Sequence, residues 1–155
     1  MSKSIGSPQL VALIDRCLAD AHIDPACLVF ELTETTAIGN IDQAKKFTTA
    51  MRTLGCRSAL DDFGSDFGSF YYLKHLPFDF FKIDGDFIRG VGVNTTDQLV
   101  VEAIVGIAKG MGKQTVAEFV TDQEMTDRLR RSGIDYAQGF HIGVPRPILE
   151  TFAPH

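Results

Sequence analysis

The sequence predicts an α/β fold built on a parallel sheet. Three observations carry that prediction. Five short apolar runs of strand length recur along the chain, and helical stretches with one apolar face separate them. The first runs are continuously apolar rather than alternating, as in strands covered on both faces. Buried strands that alternate with amphipathic helices make parallel βα units with right-handed crossovers. At 155 residues, with no low-complexity tract and no linker, the chain fits one compact domain with a sizeable core.

The elements follow in order. Ser7-Pro8 opens a first helix, in which Leu10, Leu13, Ile14, Cys17, Leu18 and Ala21 form one stripe. Ala26 to Thr33 reads as a strand buried on both faces. A second helix spans about Ile41 to Leu54, with Ala44, Phe47, Met51 and Leu54 facing inward, and Gly55 stops it. The next strand is the approach to Asp61. Pro77 introduces the third, Phe78 to Asp84, and a helical turn follows over Gly85 to Gly90. A helix over about Thr95 to Met111 is striped by Val100, Ile104, Ile107 and Met111, and Asn94 to Asp97 is its capping cluster. Lys113 to Phe119 is the fourth strand, Asp122 to Ser132 a polar helix ended by Gly133, and Asp135 to Phe140 the fifth strand.

Composition narrows the function. Hydrophobic residues make up 45% and charged residues 23%, which suits a soluble globular domain and excludes a disordered or fibrous chain. A formal net charge of -5 opposes binding to a nucleic-acid polymer or an anionic membrane surface, which needs a basic face. No apolar run is long enough to span a bilayer, and the first residues lack a signal-peptide core, so the expected location is the cytoplasm. Cys17, Cys27 and Cys56 lack metal-site spacing and are odd in number, which reads as buried free thiols. His22, His75, His141 and His155 show no ligand spacing and read as surface or helix-terminus residues.

The chemistry lies where each strand stops being apolar. Glu31, Asp61, Lys82, Glu118 and Gln138 take equivalent places in successive units, and Asp62 follows Asp61 directly. Side chains alternate across a strand, so Asp61 is expected as the last inward residue and Asp62 as the first of the loop. In parallel α/β folds the carboxyl edge of the sheet gathers the functional loops. Glu31, Asp61, Asp62 and Glu118 converging there need cations, and hard divalent ions, Mg²⁺ or Mn²⁺, suit an all-carboxylate set. Each residue alone also has a plainer reading. A glutamate can end a strand where the chain meets water, an aspartate pair can start a turn, Lys82 can snorkel, and Gln138 can satisfy a backbone group. Gly64 and Gly68 suit tight turns. Ser65 to Leu73 reads as a lid-like loop running into a short helix, with Phe67, Phe70 and Tyr71 beneath it.

The motifs ELTET, DDFGSDFGS, KIDGDFI, VAEFV and QGFHIGVPRP, in this order, resemble those of the EAL-domain cyclic di-GMP phosphodiesterases. The resemblance implies a TIM-like (β/α) barrel with its site at the carboxyl ends of the strands. It implies Glu31 as a metal ligand, Glu34 as the residue that steadies the loop after the two aspartates, Asp61 as a bridge between two metals and Asp62 as a ligand of the second. It further implies Lys82 as the holder of the attacking water, Glu118 as a second-metal ligand, and Gln138 as a residue lining the pocket. The implied reaction is two-metal hydrolysis of cyclic di-GMP: water attacks one phosphorus in line, the 3′ oxygen leaves, and linear pGpG results.

The Glu-Ala-Leu tripeptide that names the family and the asparagine that follows it are not in this sequence. The expectation is therefore a truncated EAL domain over 1–155, regular over about 7–147, with five strands of an incomplete barrel. The first metal keeps only Glu31 and Asp61, which predicts impaired hydrolysis by this chain alone; the alternative is a catalytically silent module that binds cyclic di-GMP or oligomerises. Open sheet edges predict a homo-oligomer, and an open sheet is the other structural outcome. Asp66, Phe67 and Gly68 depart from the family loop, Phe119 replaces a glycine, and Thr121 replaces a glutamate. These departures bear on loop control and guanine recognition. A receiver-like signalling domain is excluded by order, because the aspartate pair there lies on the first strand and here a glutamate strand precedes it.

Overall fold

A computed structural model describes residue 5 and residues 7–65 and 73–147. The expected lid-like loop, the departures at Asp66, Phe67 and Gly68, and His155 lie outside the described residues.

Five parallel strands form one sheet in the order β1-β2-β3-β4-β5. They are β1 (Val29–Thr33), β2 (Arg57–Phe63), β3 (Phe80–Ile83), β4 (Gln114–Ala117) and β5 (Tyr136–Ala137). Six helices accompany them among the described residues: α1 (Pro8–Ala21), α2 (Glu34–Gly39), α3 (Ile41–Thr53), α4 (Gly85–Gly90), α5 (Thr95–Gly110) and α6 (Gln123–Ser132). Strand order that never reverses is the order of a sheet wound in one direction, as in a barrel wall, and differs from that of a doubly wound sheet.

The pleat sorts the strand residues onto two faces. Leu32, Leu60, Phe81, Ile83 and Ala117 join one core with Phe47 and Met51 of α3, Val101, Ile104, Val105 and Ala108 of α5, and Leu129 of α6. Phe63 stacks on Phe81 with ring centroids 4.9 Å apart. On the other face Val29, Glu31, Arg57, Ala59, Phe80, Lys82, Val116, Tyr136 and Gln138 line an open concavity of about 310 Å³. Arg57 lies over the Phe80 ring at 5.5 Å, and Phe80 meets Tyr136 edge-on. The helices cover one face and the concave face is left for chemistry.

Several local expectations are corrected. Ala26 and Cys27 belong to a 3₁₀ turn (Pro25–Cys27), and β1 is an edge strand with Val29 exposed rather than a strand buried on both faces. An edge strand has only one neighbour, and α2 and α3 cover only one of its faces. The buried side of α1 is Leu18 with Leu10, Val11 and Ile14 packed beside it, while Leu13, Cys17 and Ala21 face outward. Cys17 and Cys27 are therefore exposed free thiols, and Cys56 alone is buried, with burial pushing its thiol up. The sequence reading passed over α2, a six-residue helix that Thr33 caps by accepting from the Thr36 N–H.

Candidate metal centre

Period-two alternation places Glu31, Lys82 and the β2 residue Ala59 on the concave face, and Asp61 two residues further along β2 shares it. Glu31 lies in mid-strand rather than at a strand end, and Glu118 and Gln138 stand one residue beyond β4 and β5.

The aspartate pair does not follow the expected division between strand and loop. Strand β2 runs through both residues to Phe63, and its pairing with β3 slips between Leu60 and Phe63. Asp62 sits at the slip with φ 55°, in the left-handed region. A bulge breaks the alternation, and aspartate tolerates this backbone better than most residues. Adjacent carboxylates can then serve one site. Asp61, Asp62 and Glu118 each offer an oxygen, and these oxygens lie within 4.8 Å of one another.

Lys82 stands among them. Its side chain is 6% exposed, and Nζ lies 2.9 Å from each of Glu31 Oε2, Asp61 Oδ1 and Glu118 Oε1. Burial alone would lower the lysine pKa, but the bonds to Asp61, Glu118 and Glu31 outweigh it and hold the ammonium protonated far above neutral pH. Burial raises the Glu118 carboxyl despite Lys82, and partial burial with repulsion from Asp61 and Asp84 raises Asp62. One ammonium does not satisfy this much negative charge.

Two observations test the site for a divalent cation. Asp61 Oδ1 is buried and makes no directional hydrogen bond, although it touches the lysine charge. The three clustered donors are all carboxylate oxygens, the hard ligands that Mg²⁺ and Mn²⁺ take. The residues fit such an ion.

Around this centre, Glu34 is buried at the start of α2, and its Oε2 accepts the Gly64 N–H at 2.9 Å, tying the segment after Asp62 to the end of β1. The exposed Gln138 lines the concavity, and its backbone N–H donates to Ala117 O while its carbonyl accepts from Val120 N–H. Asp84 was not singled out from the sequence. It caps α4 by accepting the Asp86 N–H, and its charge reaches Asp62. The signal was present in the Lys82-Ile83-Asp84 order, two residues past the strand's inward lysine.

The chain matches the EAL domain family over residues 1–145. It belongs to that family. Among curated relatives, the cyclic di-GMP phosphodiesterase PdeB of Shewanella oneidensis is 45% identical over 145 residues, 94% of this chain and 17% of the relative. The EAL domain of FimX from Pseudomonas aeruginosa, solved bound to c-di-GMP, superposes with a TM-score of 0.86 at 30% identity, over 94% of this chain and 60% of that one. BlrP1 of Klebsiella pneumoniae, solved as a manganese/cy-diGMP complex, gives a TM-score of 0.80 at 31% identity, over 86% of this chain and 34% of that one. The chain thus spans about a fifth of the length of the curated relatives it matches and roughly three-fifths of the FimX domain. Its five-stranded sheet is part of the TIM-like barrel wall of an EAL domain.

Proposed function

We propose that this chain carries the second-metal side of a cyclic di-GMP phosphodiesterase site, which hydrolyses one phosphodiester to give linear pGpG. The observation that carries the reading is the convergence of Asp61, Asp62 and Glu118 around the buried Lys82 ammonium. Asp61, Asp62 and Glu118 would hold one Mg²⁺ or Mn²⁺, and Glu31 with Asp61 would contribute to a second. Bound ions supply Lewis-acid charge at the phosphate oxygens.

The chain's own groups divide the remaining work. Lys82 stays protonated, so it cannot take a proton from water; it donates hydrogen bonds and holds the attacking water in line with the phosphorus. Glu34 fixes the Gly64 backbone, and through it the position of Asp62. Gln138 lines the floor on which the nucleotide rests. With only Glu31 and Asp61 for the first ion among the described residues, hydrolysis by this chain alone is slow, and its open sheet edges pair with a second copy.

A second reading, a silent module that binds the nucleotide or assembles, is favoured by one observation. The Glu31 side chain is 45% exposed at an edge strand and is already neutralised by Lys82. Turnover of cyclic di-GMP to pGpG in Mn²⁺, measured chromatographically beside Asp62→Ala, separates the two. Slow wild-type turnover that disappears in the variant supports the enzyme; nucleotide binding without turnover in either protein supports the silent module.

A further inference from the structure

Phe119 follows the metal-site glutamate directly, and its backbone is at φ 54°. Bulky residues seldom adopt this left-handed conformation, and such strain persists only where the surroundings over-determine it. The ring does not gain a place in the core, because Phe119 is 56% exposed. Two neighbours fix it instead. A Cβ on Gly85 would sit 2.1 Å from Phe119 Cδ2, so the ring lies directly on glycine backbone that no other residue could offer. The Arg89 guanidinium lies 4.9 Å from the ring centroid in a cation–π contact.

The ring so held is one wall of a cavity of about 230 Å³ that Glu118, Gln138, Gly139 and Phe140 also line. Phe140 is 77% exposed. The cavity therefore joins exposed aromatic surface to the glutamate of the carboxylate cluster. Phosphate chemistry and an exposed, immobilised aromatic face side by side suit a nucleotide, because every base offers a π-face to stack.

We propose that Phe119 is a base-stacking, specificity-determining residue: it receives the purine of a cyclic dinucleotide whose phosphate lies on the Asp61, Asp62 and Glu118 cluster. Arg89 and Gly85 are its positioning residues. This rests on the cyclic dinucleotide reading above and adds to it the residue that holds a base.

The chain contains no tryptophan, so Phe119→Trp installs a single fluorescent reporter at the stacking position. Cyclic di-GMP is titrated in Ca²⁺ into the wild-type chain, Phe119→Trp and Phe119→Gly, by calorimetry for all three and by emission for the tryptophan variant. Stacking predicts saturable quenching in Phe119→Trp and affinity within about threefold of wild type. It predicts about tenfold weaker binding by Phe119→Gly, with no fall in melting temperature, since glycine accepts this backbone without strain. Equal affinity of Phe119→Gly and wild type, or calorimetric binding without quenching, overturns the inference and leaves the phosphodiesterase reading standing. No binding by the wild-type chain overturns both.

Discussion

Lys82 is the residue on which the centre balances. Three carboxylates lie 2.9 Å from one nearly dry ammonium, so the lysine holds acidic groups together as much as it serves chemistry. Lys82→Met keeps the bulk and removes the charge. It leaves Asp61 and Glu118 facing each other partly buried, with Glu31 better able to hydrate. Loss of a buried pair's partner costs several kcal/mol; discounted for the exposure of Glu31, the expected loss is about 2 kcal/mol. Urea unfolding with chelator measures it, and Mn²⁺ should restore part of the loss by replacing the missing positive charge. Unchanged stability in chelator would show that water already screens the cluster. At this scale the sequence was informative about identity and silent about backbone. Glu31, Asp61, Lys82 and Glu118 could be assigned to one edge from alternation alone, whereas the left-handed Asp62 and Phe119 depend on a bulge and on Gly85, which no alternation rule reports.

Among the elements, α6 is polar and its start depends on a cap. Asp122 accepts the Met125 N–H, and Thr121 also donates to it. These bonds hold the carboxyl below its ordinary range, the Met125 backbone bond first. A carboxyl lowered in the fold stabilises it at pH above the unfolded pKa, and that contribution disappears as pH falls through the folded value. Acid titration of melting temperature should therefore fall more steeply in the wild-type chain than in Asp122→Ala, which starts lower. Parallel curves would remove the cap from the account. At the end of β5 a Cβ on Gly139 would meet Val120 backbone N and O at 2.3 Å. Backbone cannot give way as a flexible side chain can, so Gly139→Ala must part this segment from Val120. The expected loss is about 2 kcal/mol or more, with Gln138 displaced; thermal unfolding and a loss of amide protection at Val120 would register it. Most elements were legible from period and punctuation, and α3, α5 and α6 lie within a residue or so of their expected bounds. Helix α2 was not, because six residues carry less than two helical turns of pattern and a tertiary contact, Glu34 to Gly64, holds its first residue.

For the molecule as a whole, the consequence of this geometry is exposure on the concave side. Strands β1 and β5 each have one neighbour, and Val29 and Tyr136 on the inner face are 42% and 49% exposed. Unpaired strand edges beside apolar surface favour association. Sedimentation velocity should show a weight-average coefficient that climbs with concentration, and Val29→Lys should suppress the climb. A compact monomer at high concentration in the wild-type chain would count against pairing through these edges. Divalent cation should raise the melting temperature through mass action, since the carboxylates converge only in the folded chain; an ion at a hundred times its dissociation constant contributes about 2.7 kcal/mol.

The sequence by itself determined the parallel α/β class, the strand-by-strand placement of Glu31, Asp61, Lys82, Glu118 and Gln138, and the motif order of an EAL domain. Periodicity and residue chemistry are local properties, and they survive in a linear string. Tertiary structure decided the rest. It turned β1 into an edge, rotated α1 so that Cys17 faces water, and bent β2 so that two successive aspartates share one site. It also set the Phe119 ring on Gly85 beside Glu118. Each of these depends on which distant backbone lies within a few ångströms, and the chain's own order does not state that distance.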